Sequence, residues 1–164
     1  MRFIDSMITR IEKIYLFLAT LIFALLILIN IIDIAFRLIV GSSITATQEL
    51  SILCFSWMVF LGMAVVLKRN LDPKITLFLE RFVSKKFHPF FDIVVNIFII
   101  VFLSTVLVIM IDYLQVQSLR KANYIPINYM FFSLPVVFSF IYMIIVTIRE
   151  LLDSILQTRG KDRL

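Results

Sequence analysis

The chain has 164 residues, 62% of them hydrophobic and 16% charged, with 17 Phe and only 3 Gly. A water-soluble domain runs nearer half apolar and a quarter charged, and one of this length could not bury so many large side chains, so the composition excludes a soluble globular protein and the surplus must face lipid. The net charge of +5 comes from Lys and Arg set between long apolar runs, a distribution that fixes membrane topology and argues against nucleic-acid binding.

A single Cys, Cys54, excludes an internal disulfide, and a single His, His88, excludes a haem held by two histidines of this chain. No thiol or imidazole cluster is present to hold zinc, so no cofactor and no metal are expected. Phosphate-loop, nucleophile-elbow and metalloprotease signatures are also missing, and the chain does not read as an enzyme.

A bilayer core takes about 20 apolar residues in a helix, and four segments reach that length. Spans are expected at about 14–36, 48–68, 90–114 and 127–150. The runs are continuously apolar without period-2 alternation, which excludes a barrel wall. The predicted fold is an all-α integral membrane protein, a single membrane domain over 1–164 with four transmembrane helices. The first span is too long for a signal peptide, and Asp33, Phe36 and Arg37 stand where a small-residue cleavage site would lie.

Local signals set the boundaries. Thr45 with Gln48 reads as a capping box, with Glu49 in the first turn, so the second helix should start near Ala46. Pro89 and Pro126 mark the starts of the third and fourth spans, and Pro135 should kink the fourth. Between the second and third spans Asp72 and Pro73 open a short amphipathic helix over about 73–86. Its Ile75, Phe78, Leu79 and Phe82 form an apolar face with Lys85 near the opposite side, a pattern suited to lying in the lipid interface.

Thirteen of the 16 basic residues fall in the N-terminal tail, the middle loop and the C-terminal tail, against Arg37, Arg120 and Lys121 in the other two loops. By the positive-inside rule both termini are cytoplasmic. The spans carry almost no ionisable group near the midplane, where a proton relay would need one. Asp33 and Arg37 are spaced to pair one turn apart at the outer end of the first span. Asn30, Thr20, Ser104 and Thr105 read as helix-packing groups, and Asn96 is the polar residue that best merits a test of substrate contact. Trp57, Phe60, Leu61 and Ala64 recur on one helical face, which either faces lipid or, with Gly62, contacts a partner membrane protein.

The stretch Arg37, Gly41, Gln48-Glu49-Leu50, Phe55, Trp57, Val59-Phe60-Leu61-Gly62, Ala64 and Lys68-Arg69, with Leu134-Pro135 further on, resembles the small membrane subunit of tripartite ATP-independent periplasmic (TRAP) transporters, the DctQ-like family. The chain departs from that pattern at Asn70, Asp72 and Thr76, where the family commonly has Gly, His and Asp. The resemblance implies a non-enzymatic scaffold in the bacterial inner membrane that associates with a large membrane subunit holding the substrate and sodium sites. A soluble periplasmic binding protein would deliver an organic acid. On the outer side Arg37, Glu49, Arg120 and Lys121 would then form a polar rim toward that binding protein. The alternatives are a self-contained proton-coupled exporter acting as a homo-oligomer and a membrane anchor of another complex.

Overall fold

The computed structural model describes residues 2–69 and 88–161. Four helices follow one another: α1 Arg2–Val40, α2 Thr45–Lys68, α3 His88–Ser118 and α4 Met130–Lys161. All four are long and apolar enough to cross a membrane, and among the described residues the extended backbone amounts to one bridge between Lys121 and Asn128. The expected amphipathic helix, with Ile75, Phe78, Leu79, Phe82 and Lys85, lies outside the described residues.

The helices form a row in the order α1, α2, α4, α3. Burial follows that order. In the most apolar stretch of each helix, 44% of residues are buried in α4 and 22% in α2, against 6% in α1 and 11% in α3. The inner pair therefore carries the core, and the outer pair turns most of its surface away from the chain. Ala64 of α2, Leu103 of α3 and Val136, Phe140, Met143 and Val146 of α4 make that core, joined by Ile8 near the start of α1. Phe17, Leu28 and Ile32 of α1 and Phe98, Val101 and Val108 of α3 stay exposed, as a lipid solvent permits.

Several helix limits differ from the sequence expectation for identifiable reasons. Helix α1 has 39 residues, about 58 Å of rise, and so overruns a core about 30 Å thick. It stops where Gly41 adopts φ +76 and donates its N–H to Arg37 O at 2.9 Å, a left-handed cap that a side chain would strain. Helix α2 starts at Thr45 itself, with Ile44 as an N-cap that offers no side-chain bond. The Thr45 and Gln48 capping box is thus not formed. The cap comes from another helix, since Ile44 N–H donates to Asp33 Oδ1 at 2.8 Å.

Pro89 does stand in the first turn of α3. Pro126 does not open α4, which begins at Met130. Residues 120–129 instead fold back on themselves, with Ala122 N–H donating to Ile127 O and Tyr129 N–H to Arg120 O. Those bonds hold the segment in a narrow turn that precedes the helix.

Candidate functional site

The polar groups that tie one helix to another gather mainly at the two ends of the row and at one point in the middle. The near end holds the start of α1 and the later part of α4; the far end holds the α1–α2 and α3–α4 connections.

At the far end two carboxylates do the joining. Asp33, one of the most buried residues of α1 with 6% exposure, pairs with Arg37 at 2.9 Å. It also accepts from Ser43 Oγ and from Ile44 N–H, at 2.9 and 2.8 Å. The expected i,i+4 pair is present, and it belongs to a larger network that caps α2. An N-cap supplied by α1 satisfies an otherwise orphaned N–H and fixes the register of the two helices. Glu49, in the second turn of α2 and 8% exposed, accepts three backbone N–H groups of the α3–α4 connection: Asn123 at 2.8 Å, Tyr124 at 2.9 Å and Ile125 at 3.1 Å. Its role is to hold that loop, beyond the favourable helix-end position the sequence suggested. Arg120 and Lys121, beside it in sequence, are exposed.

In the middle, Pro135 lies inside the continuous helix α4. Proline has no N–H to give the carbonyl four residues before it, which here is Phe131 O. Trp57 Nε1 supplies the missing donor at 3.0 Å, and Ser56 Oγ donates to the next carbonyl, Phe132 O, at 2.6 Å. A freed carbonyl in lipid is tolerated when a neighbouring helix satisfies it. Around this point Trp57 packs on Phe138 and Phe60 meets Phe140 edge-on, both with ring centroids 6.3 Å apart.

This changes the reading of the α2 face. Leu61 and Ala64 are 2% and 0% exposed, and Trp57 and Phe60 lean on α4 of the same chain, so the face serves an internal helix contact. Ala64 has no surface left for a partner. Gly62 sits on open space, since a Cβ there would meet nothing within 4 Å, and it does not permit close approach of a helix within this chain.

At the near end Glu12 is buried and bonded to both Lys68 and Arg69, the latter at 2.7 Å. Arg149 of α4 bridges Asp5 of α1 and Asp153 one turn on, the latter at 2.7 Å. Tyr142 donates to Ile8 O at 3.3 Å and Tyr15 to Phe138 O at 3.1 Å, with the two rings 5.1 Å apart. An open cleft of about 340 Å³ lies between Asp5, Lys68 and Arg149, but both cations are already paired, so it offers no spare charge to a ligand.

Sequence reasoning missed Glu12 and Asp5. The signal for Glu12 is an acid at the start of one span facing a basic pair at the end of the next, antiparallel span. Lys68 and Arg69 satisfy the positive-inside rule as well, and that sufficient explanation masks their second role. Between the two ends, Thr20, Thr105 and Thr147 donate to carbonyls one turn back, each at 2.8 Å. Asn30 bonds Leu26 O and Ser51 Oγ, and Asn96 is buried. Among the described residues no three His, Cys, Asp or Glu side chains converge as a metal would require.

Four spanning helices cross-tied at both ends define a multi-pass membrane protein. Residues 26–157 match the family described as Tripartite ATP-independent periplasmic transporters, DctQ component, and the chain belongs to that family. Membership makes it the small membrane subunit of a TRAP transporter, and implies partnership with a large membrane subunit and a periplasmic binding protein. No curated protein matches the chain.

Proposed function

We propose that this subunit is a static scaffold. It steadies the large membrane subunit of a sodium-coupled transporter for an organic acid, and it helps to dock the periplasmic binding protein. The chain acts as one membrane unit in the bacterial inner membrane with both termini cytoplasmic. Phe60 and Gly62, which keep part of their surface outside, contribute to the rim of the large-subunit contact.

One observation carries the scaffold reading. Asp, Glu, Lys, Arg and His are absent from 14–32, 50–67, 93–111 and 130–148, while the charged groups at the ends are spent on joining helices. A coupled transport site needs ionisable or unwound elements at the midplane, and the carbonyl that Pro135 leaves without its helical donor is satisfied by Trp57, with Ser56 bonding the next one. The basic residues favour cytoplasmic termini, and the proposals of sodium coupling and an acid cargo rest on the family resemblance alone.

The test is uptake of a radiolabelled organic acid into proteoliposomes holding this chain alone, the full complex, or the complex without it. The expected result is uptake by the full complex only. Robust uptake by the single chain, or undiminished uptake without it, would overturn the proposal.

A further inference from the structure

Resting on the docking role proposed above, we infer that residues 119–125, held by Glu49, form a rigid basic platform that recognises an acidic face of the periplasmic binding protein. Glu49 acts as the positioning residue, and Arg120 and Lys121 as the contacts.

The segment is unusually constrained for a connection between two helices. Its flanks are joined by the Ala122 to Ile127 and Tyr129 to Arg120 bonds, at 2.9 and 3.0 Å. Asn128 Nδ2 donates to Ser118 O at 3.1 Å, and the tip is fastened to α2 by the three N–H bonds to Glu49. Each bond to a carboxylate is charge-assisted and stronger than a neutral one. A loop ordered in advance gives up little entropy on binding.

Charge supplies the second half of the argument. The Glu49 carboxylate is spent on backbone N–H groups, and Asp33 is spent on Arg37 and the start of α2. Arg120 and Lys121 are exposed and enter no ion pair among the described residues. Beside them Leu119 and Tyr124 are 86% and 60% exposed. Two unopposed cations next to an aromatic and an aliphatic side chain form a small contact patch, and its electrostatic complement is a cluster of carboxylates. A soluble partner that must find the membrane complex by diffusion gains association rate from such a patch.

The experiment measures binding of the purified binding protein to the complete membrane complex in nanodiscs of zwitterionic lipid, at several salt concentrations. Arg120→Glu with Lys121→Glu should slow association by about tenfold and flatten its salt dependence, with dissociation nearly unchanged. Glu49→Gln should leave the salt dependence of association intact and speed dissociation, because the cations remain and only their support loosens. Glu49→Asp should recover part of that loss.

Unchanged rates in the charge-reversed variant, with binding still dependent on this chain, would overturn the platform and leave the docking role standing. Binding that is the same without this chain would instead overturn the docking role itself. An effect of charge reversal confined to nanodiscs containing anionic lipid would assign the cations to headgroups. Loss of the large subunit from the purified variant would assign them to that subunit. Either result would overturn the inference.

Discussion

At the scale of single residues, Trp57 gives the clearest example of a side chain whose purpose depends on a distant irregularity. Its indole N–H and Pro135 are 78 positions apart in the chain, yet one exists to complete the other at Phe131 O. Trp57→Phe keeps the ring and removes the donor. It should cost about 1–2 kcal/mol, the range for removing a hydrogen bond inside a membrane protein, read as a lowered unfolding midpoint in detergent. Pro135→Ala returns an N–H to α4, so the double variant should lose less than the sum of the two single variants, and a strictly additive cycle would refute the pairing. Asp33 allows a second test. Asp33→Ala removes the cap of α2 and should destabilise by about 1–2 kcal/mol, while the cation dependence of uptake by the complex stays the same. The sequence revealed Trp57 as a member of one helical face, and Asp33 as a partner of Arg37. It could not reveal their acceptors and donors on other elements, because a hydrogen bond from one helix to the backbone of another leaves no trace in spacing.

At the scale of elements, the two ties on α1 work as a gauge. Glu12 and Asp33 are 21 residues apart, about 32 Å along a helix, which matches the thickness of a hydrocarbon core. Helix α2 is held between them, at Lys68 and Arg69 on one end and Ile44 on the other. Removing one tie should free one end only. Glu12→Ala should raise amide hydrogen exchange over residues 5–15 and leave residues 33–44 protected; equal loosening at both ends would show that the ties are not independent. The existence of four spans was plain from the apolar runs, since lipid admits few other structures. Their ends were less legible. The Thr45 and Gln48 signature was overridden by a carboxylate from α1, and Pro126 marked a turn four residues before its helix. Helical periodicity also made Trp57, Phe60 and Ala64 one face correctly, but in lipid an inward face and an outward face have the same composition, so the pattern could not say which partner it met.

At the scale of the molecule, the row has one expected orientation. With Cys54 replaced by Ser, cysteines at Ser42 and Asn123 should react with a membrane-impermeant reagent from the periplasmic side only, and one at Gln157 from the cytoplasmic side only. Labelling of Asn123→Cys from the cytoplasm would overturn the assignment of sides. The row also imposes a timetable on synthesis. Helix α2 meets its first neighbour, α1, as soon as it emerges, and their end ties are complete by Arg69. Helix α3 has no such reception, because its packing runs to α4, which is made last. It must therefore rest in the bilayer on hydrophobicity alone, and its long uncharged run from Ile93 to Ile111 suits that wait. When α4 arrives, the carbonyl its proline leaves without a donor meets one already in place on α2, so the earlier hairpin serves as the template on which the last helix settles.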